Sequence, residues 1–170
     1  AVASIAGVEP AAMRRAVSGF TGLEHALEPV AEIAGVRFVN DSKATNIESA
    51  LRAIQSFPRG LVVILGGRFK GGDFTDLRGA LTERAARVVA IGESAPLIHD
   101  ALDTAVPVHD AADMTAAVRS AFAVAAPGET VVLAPACSSF DMFRDYAERG
   151  RVFKQEVVRL REEFNGVREQ

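Results

Sequence analysis

The chain has 170 residues, of which 49% are hydrophobic, and this composition suits one globular domain with a substantial core. The formal net charge of −3 comes from both signs mixed along the chain, so we expect no nucleic-acid partner. No apolar run reaches the roughly 18 residues of a membrane helix, so we expect neither a membrane span nor a signal peptide.

The first 20 residues differ in pattern from the rest of the sequence. They predict two short helices, at roughly 1–6 and 10–18, which are interrupted by Gly7-Val8-Glu9-Pro10. We interpret this segment as the tail of a preceding domain, or as linker helices. A second domain would then occupy residues 21–170.

Strand and helix patterns alternate from residue 36 onward. Apolar runs predict strands at 36–39, 61–65, 87–91, 105–108 and 130–133. Pro107 favours an edge position for the fourth of these strands, because proline cannot donate a ladder hydrogen bond. Helical spacing predicts helices at 47–54, 75–84, 94–102 and 111–124, and a final helix that carries Phe153, Val157, Leu160 and Phe164. Such alternation predicts an α/β, Rossmann-like fold, with a mostly parallel sheet of about five to six strands and helices on both faces.

Two helix starts have recognisable capping residues. Thr45-Asn46-Ile47-Glu48 has the pattern of a capping box, in which the Thr45 hydroxyl and the Glu48 carboxylate bind the first free amides. Asp73 precedes the helix expected near Phe74, and we predict that it caps that helix rather than acting as a catalytic acid.

Three predicted strands end in polar or glycine-rich loops, at 40–46, 66–73 and 135–139. In an open α/β sheet, ligands bind beyond the carboxyl ends of the strands, close to loops and helix N-termini. Ammonium groups, hydroxyls and helix N-termini favour anions, so the residues predict a site for carboxylate or phosphate. The side chains expected at this edge are Lys43, Thr45, Lys70 and Ser139.

The glycine-rich segment 66–72 does not match GxxxxGK[ST], and GxGxxG does not occur, so the sequence supports neither nucleotide motif. An alternative is that these loops only cap helices and form turns. Lys43 and Lys70 would then be ordinary solvated lysines, and Ser139 would be an N-cap.

At these three loops the sequence resembles the C-terminal domain of the Mur ligases, which are ATP-dependent amide-forming enzymes of peptidoglycan synthesis. The matching motifs are Asn-Asp-Ser-Lys-Ala-Thr-Asn, Gly-Gly-x-x-Lys-Gly-x-Asp-Phe and Pro-Ala-Cys-Ser-Ser-Phe-Asp-Met-Phe, in order between about Gly22 and Phe164. Lys43 and Thr45 in the first motif favour the family members that add D-glutamate. The alternatives are a related ligase, such as folylpolyglutamate synthase, and a non-catalytic binding domain of the same fold.

The resemblance implies a set of residues that bind the amino acid. Thr45, Lys70 and Ser139, with the backbone around Phe140, would hold the carboxylates of D-glutamate. Tyr146 stands where the family has a phenylalanine beside that amino acid, so the ring is kept and a hydroxyl is added.

The resemblance also implies a nucleotide site. Asn40 and Asp41 would contact ATP, and Lys43 would lie between ATP and the amino acid as the catalytic residue. An arginine of the family that helps to bind the ATP phosphates is replaced here by Ala26, so another cation, such as Arg68, would have to substitute.

Further parts of such an enzyme are expected outside this chain. The phosphate loop, the Mg²⁺ ligands and the site for UDP-N-acetylmuramoyl-L-alanine belong to the preceding domains of the family. This chain alone is therefore expected to be inactive, and the intact protein to be a cytoplasmic monomer.

The remaining reactive and aromatic residues have ordinary expected roles. Cys137, the only cysteine, excludes an internal disulfide, fits a reducing compartment and is expected to be a small buried apolar residue. The three histidines lack metal-ligand spacing, so we expect no metal site in this chain. The rings expected in the core are those of Phe140, Phe143 and Phe153.

Overall fold

A computed structural model of the protein describes residues 5–18 and 22–168. The helices in these ranges are α1 (Pro10–Ser18), α2 (Ile47–Gln55), α3 (Arg78–Glu83), α4 (Ala95–Leu102), α5 (Met114–Val124) and α6 (Tyr146–Arg168), and a 3₁₀ turn (Phe74–Leu77) precedes α3. The strands are β1 (Glu28–Ile33), β2 (Val36–Asn40), β3 (Leu61–Gly66), β4 (Arg87–Ile91), β5 (Val108–Asp110) and β6 (Thr130–Leu133).

The strands form one six-stranded sheet in the order β1-β2-β6-β3-β4-β5. Strands β2 to β6 pair in parallel, and β1 runs antiparallel to β2 at one edge. Parallel neighbours need crossover connections, and the helices between the strands supply them. The predicted mostly parallel, Rossmann-like α/β fold is confirmed.

Two apolar cores lie on opposite faces of the sheet. Helices α2, α3 and α4 pack on the face that carries Val63 and Leu65, whereas α5 and α6 pack on the face of Val62 and Ile64. Successive side chains of a strand point to opposite faces, so β3 contributes to both cores and is buried along its whole length.

The two edge strands differ from the prediction. Strand β1 was not predicted, and its pairing with β2 contains an irregularity between Pro29 and Ala31, which suits a strand at an edge. At the other edge, the strand predicted at 105–108 is displaced to β5 (Val108–Asp110). Pro107 precedes it and uses only its carbonyl, which accepts from the Val88 amide at 2.9 Å.

The capping predictions have mixed outcomes. Asn46 rather than Thr45 is the N-cap of α2, and its side chain accepts from the Ser49 amide at 2.8 Å, so the predicted Thr45 cap is wrong. Asp73 accepts from the Thr75 amide at 2.8 Å and caps the 3₁₀ turn, as predicted. Ser139 caps no helix among the described residues, since α6 begins only at Tyr146.

The N-terminal helix α1 covers the predicted range 10–18, and none of its residues is buried. Most of the other predicted helix, at 1–6, and the junction at Thr21 lie outside the described residues. No helix in the described ranges is both long enough and apolar enough to cross a membrane.

The predicted core residues are mostly buried. Cys137 and Phe153 are fully buried, and Phe143 packs partly buried against the core of α5 and α6. Phe140 is 63% exposed, so the prediction that its ring lies in the core is wrong. The loop after β6 turns this ring away from the sheet and toward the rim of a cavity.

Candidate functional site

Strands β2, β6 and β3 are neighbours in the sheet, so the three loops that follow them leave the same edge side by side. The loop after β3 leads to α3 on one face, whereas the loop after β6 leads to α6 on the opposite face. Adjacent strands whose connections diverge in this way open a crevice beyond their carboxyl ends, where α/β proteins bind ligands.

Backbone hydrogen bonds fix these loops to one another. Arg68 and Ser138 exchange amide-to-carbonyl bonds of 2.9 and 3.0 Å, and these bonds join the loop after β3 to the loop after β6. The Ala136 amide donates to the Ala44 carbonyl at 2.9 Å, which joins the loop after β6 to the loop after β2. The three loops therefore form one connected structure.

Gly67 allows the close approach of two of these loops. Its φ is 132°, and a Cβ at this position would lie 2.2 Å from the Ser138 carbonyl oxygen. Only glycine combines this backbone conformation with so little space, so the glycine-rich segment serves loop packing.

A small cavity of about 160 Å³ opens where the loops meet. Its lining residues are Thr45, Lys70, Ser138, Ser139, Phe140, Asp145 and Tyr146. The structure thus brings together all five residues that the resemblance assigns to the amino acid. Sequence reasoning missed Ser138 and Asp145 as lining residues.

The charged and hydroxyl groups of this cavity favour an anionic ligand. Lys70 is exposed and forms no ion pair with any described residue, so its ammonium group is available. Ser138 and Ser139, which are 4% and 2% exposed, both line the cavity, and the Ser138 hydroxyl donates to the Arg68 carbonyl at 2.9 Å. Short donors around one ammonium group can bind a carboxylate through charge-assisted hydrogen bonds.

Asp145 is the acidic member of the lining, and its carboxylate is already engaged. Its Oδ1 accepts from the Glu148 amide at 2.6 Å in the first turn of α6. This hydrogen bond to the charged form lowers the pKa of Asp145, with a smaller contribution from the nearby Arg151. Asp145 therefore orients the start of α6, on which Tyr146 lies.

A larger cavity, of about 480 Å³, lies between the β1–β2 hairpin and the end of α2. Its walls are mostly apolar, with Val30 and Phe57 among them. None of its lining residues belongs to the loops 40–46, 66–73 and 135–139. The smaller cavity is the candidate site, because residues of all three motif loops line it, Lys70 and Ser139 among them.

Asp41 and Lys43 lie on the other side of the same loop, facing residues 23–28. The Lys43 amide donates to the His25 carbonyl at 3.1 Å, while its side chain is exposed. Asp41 accepts from the Leu27 amide at 3.1 Å. Burial raises the pKa of Asp41, although the Leu27 amide and the Lys43 charge act in the opposite direction.

Asn40 lies beneath these residues and is fully buried. Its Nδ2 donates to His25 Nδ1 at 2.9 Å and to Glu28 Oε2 at 3.0 Å, and its Oδ1 accepts from the Ser42 amide at 3.1 Å. The polar groups of its side chain are thus used within the protein, where they fix the turn that carries Asp41 and Ser42.

Arg68 and Lys154 are both engaged in ion pairs. Arg68, the suggested substitute for the arginine that Ala26 replaces, binds Glu93 through two hydrogen bonds of 3.1 and 2.9 Å. Lys154 of α6 binds Glu24 at 2.8 Å and Glu28 at 2.9 Å, on both sides of Ala26 in the sequence.

Sequence reasoning missed one further residue, Arg149 of α6, which is 1% exposed. Its guanidinium group lies under the motif loops and donates to Ser42 and to the Cys137 carbonyl. The sequence feature that could have indicated its burial is its position one helical turn before Phe153, on the buried face of α6. Because arginine is rarely buried, an arginine at such a position is usually taken to mark where the buried face of the helix ends.

Comparisons with known proteins identify the family of this chain. A family model described as "Mur ligase, glutamate ligase domain" matches residues 27–137. The chain belongs to this family. A curated relative from Solibacter usitatus, named UDP-N-acetylmuramoylalanine--D-glutamate ligase, is 53% identical over 91% of this chain and 35% of its own length. A relative of the same name from Chlorobaculum tepidum is 47% identical over 94% of this chain and 34% of its own length. The chain spans about a third of the length of these relatives.

A solved structure shares the fold at low identity. The bifunctional folylpolyglutamate synthase/dihydrofolate synthase from Yersinia pestis superposes with a TM-score of 0.62 over 86% of this chain and 34% of its own, at 19% identity. At this identity the likeness establishes the common fold alone.

Proposed function

We propose that this chain is the C-terminal, amino-acid-binding domain of an ATP-dependent ligase that adds D-glutamate to UDP-N-acetylmuramoyl-L-alanine. One observation carries the proposal: residues from separate loops converge on one small cavity that holds several hydroxyls and the Lys70 ammonium group, which pairs with no described carboxylate. The relatives named D-glutamate ligases match over more than nine-tenths of this chain, which supports the choice of amino acid.

In this proposal the cavity binds the two carboxylates of D-glutamate. Lys70 supplies the positive charge, and the hydroxyls of Thr45 and Ser139 donate hydrogen bonds. The backbone at Phe140 and the ring of Tyr146 close the cavity around the amino acid. With both carboxylates held, the amino group is left free and oriented to act as the nucleophile.

The nucleotide would lie on the side of the loop that faces residues 23–28. Asp41 and Lys43 would contact ATP from this side, and Lys43 would also face the amino acid. Asn40 would contribute from below, since its hydrogen bonds to Ser42 and His25 hold the turn in place. An exposed lysine beside a phosphorylated substrate would offset negative charge as the reaction proceeds.

The reaction itself would need residues outside this chain. The carboxylate of UDP-N-acetylmuramoyl-L-alanine would attack the γ-phosphorus of ATP, forming an acyl phosphate and releasing ADP. The neutral amine of D-glutamate would then attack the acyl carbon, and inorganic phosphate would leave as the nitrogen loses a proton and the amide forms. The described residues contain no group of three or more His, Cys, Asp or Glu side chains that could hold a metal ion. As the resemblance implies, we place the ligands of Mg²⁺ in the preceding domains.

We further propose that residues 1–20 belong to the end of a preceding domain. Helix α1 has no buried residue, and Val17 on it is 76% exposed, as expected for a surface that another domain covers. The intact protein would act as a monomer in the cytoplasm, where ATP and the nucleotide-linked substrate are present.

The experiment uses the intact protein that contains this chain. Phosphate release is measured with ATP, Mg²⁺ and either UDP-N-acetylmuramoyl-L-alanine or a folate as the acceptor, in the presence of D-glutamate, L-glutamate or D-aspartate. We expect release that depends on D-glutamate and on the nucleotide-linked acceptor. Release with L-glutamate and a folate acceptor would instead favour the folate-type ligase, and no release with any pair would favour the non-catalytic domain.

A further inference from the structure

The guanidinium group of Arg149 is a buried cation without an acidic partner. The residue is 1% exposed, and it forms no ion pair with a carboxylate in residues 5–18 and 22–168. A buried charge is costly to desolvate, so natural proteins rarely keep one without an acidic partner. Burial lowers the pKa of Arg149 to about 10, which still leaves the group protonated at neutral pH.

The donors of Arg149 bind two of the motif loops directly. Nε donates to Ser42 Oγ at 2.9 Å, and a terminal nitrogen donates to the Ser42 carbonyl at 2.9 Å. The other terminal nitrogen donates to the Cys137 carbonyl at 3.1 Å. One planar group therefore ties the loop after β2 to the loop after β6.

Arg149 also reaches the other two segments that line the cavity. The Ser42 hydroxyl accepts from Arg149 and donates to the Tyr146 carbonyl at 2.7 Å, which extends the chain of hydrogen bonds to the start of α6. A Cβ built on Gly67 would lie 3.3 Å from an Arg149 terminal nitrogen, so the loop after β3 also packs against this group. All four segments of the cavity thus meet at one side chain.

Asp141 is the carboxylate with an electrostatic influence on Arg149, but its hydrogen bond goes to another residue. Its Oδ2 accepts from the Glu93 amide at 3.0 Å, while its Oδ1 is buried without a hydrogen-bond partner in the described residues. Asp141 therefore makes no hydrogen bond with Arg149, and no described carboxylate forms an ion pair with the buried guanidinium group. An uncompensated positive charge in a low-dielectric region attracts an anion more strongly than the same charge in water.

We propose that Arg149 is a positioning residue of the amino-acid cavity, which holds its four segments in register and places a positive charge beneath the carboxylate-binding groups. This inference rests on the proposed function only for the identity of the ligand, a dicarboxylic amino acid. The arrangement explains why the protein keeps an arginine here: an apolar side chain would fill the space, but it would neither satisfy the loop carbonyls nor favour an anion.

The test compares four variants of the intact protein by steady-state kinetics. Arg149→Met removes both the charge and the donors, Arg149→Lys keeps the charge with fewer donors, and Ser42→Ala cuts the link to Tyr146. Arg159→Met is the matched control, because Arg159 lies on the same helix with its side chain 62% exposed.

For Arg149→Met we expect a KM for D-glutamate raised by about 10- to 100-fold, the range for lost hydrogen bonds to a charged group, with a smaller change in the KM for ATP. Arg149→Lys should recover part of this loss, and Ser42→Ala should raise the KM by less than Arg149→Met. An unchanged KM for D-glutamate in folded Arg149→Met, or equal damage in Arg149→Lys and Arg149→Met, would overturn the proposal.

A second measurement does not depend on the identity of the ligand. Hydrogen exchange of the intact protein, followed by mass spectrometry, should be faster in segments 40–46, 66–72 and 135–141 of Arg149→Met and Ser42→Ala than in Arg159→Met. If wild type uses no D-glutamate but these segments loosen, the proposed function fails and the positioning role stands. If exchange in these segments is unchanged, the positioning role is refuted.

Discussion

Gly150, in the second turn of α6, offers a prediction in which packing reverses the effect of helix propensity. Alanine in a helix interior is more favourable than glycine by roughly 1 kcal/mol, so propensity alone predicts that Gly150→Ala stabilises the protein. A Cβ at this position, however, would lie 2.3 Å from His25 Nδ1 and 3.0 Å from Asn40 Nδ2. We therefore predict a loss of stability.

The magnitude follows from what must move. His25 is only 4% exposed, so we expect the clash to displace its ring and break its 2.9 Å hydrogen bond with Asn40. Overpacking costs roughly 1–3 kcal/mol, and leaving a buried polar group unpaired costs roughly 1–3 kcal/mol. After subtraction of the propensity gain, the free energy of unfolding should fall by about 3 kcal/mol.

Urea unfolding monitored by circular dichroism measures this change. The matched control is Gly166→Ala on the same helix, where a Cβ would meet nothing within 4 Å; it should leave stability unchanged or raise it by up to about 1 kcal/mol. A Gly150→Ala variant as stable as wild type would refute the account of the contact between α6 and His25.

Three further predictions concern the site. Lys70→Ala should raise the KM for D-glutamate by about 10-fold or more, because the cavity loses its ammonium group, whereas exposed Arg52→Ala should not. Tyr146→Phe keeps the ring and should change the same KM by less than about 3-fold, whereas Tyr146→Ala should raise it more. Burial lowers the pKa of His25 below its ordinary 6.5, because the folded protein disfavours the protonated ring. The free energy of unfolding should therefore fall as the pH drops below about 6.5, and His25→Gln should lose this pH dependence.

Each of these predictions has a contradicting result. An equal rise of the KM values for ATP and D-glutamate in Lys70→Ala would mean that Lys70 supports the fold rather than the amino acid. A large effect of Tyr146→Phe would mean that the hydroxyl, absent from the family pattern, binds the substrate. A slope just below pH 6.5 that persists in His25→Gln would show that a group other than His25 causes it.

The sequence predicted the parallel part of the sheet because buried strands are distinctive. Leu61–Gly66 is apolar throughout, and it forms a central strand covered on both faces. Glu28–Ile33 contains a proline and two acidic residues, so it lacks strand alternation; it forms a strand only because β2 offers a free edge beside it. Pairing of this kind depends on tertiary contacts, which local patterns do not contain.

The position of the site was predictable for a topological reason. Loops that follow parallel strands leave the same edge, so polar residues after β2, β3 and β6 had to lie together. The state of each side chain was not predictable. Asn40 lies at the end of a strand, where we expected it to contact a ligand. It is completely buried, and its side chain is hydrogen-bonded to His25 and Glu28.

Arg149 illustrates the same limit. Its importance comes from contacts with Ser42, more than a hundred residues earlier in the chain, and no local pattern relates the two. Whether a cation is solvated, paired or buried follows from the packing of the whole domain. In the structure Lys70 is exposed to solvent, Arg68 is paired with Glu93, and Arg149 is buried.

The most direct test of the central claim is an NMR titration of this chain with D-glutamate, with L-glutamate and D-aspartate as controls. The account predicts that the amides of Thr45, Lys70, Ser139, Phe140 and Tyr146 shift with D-glutamate and shift much less with either control. Equal shifts with D- and L-glutamate, or shifts confined to residues outside the cavity, would contradict it.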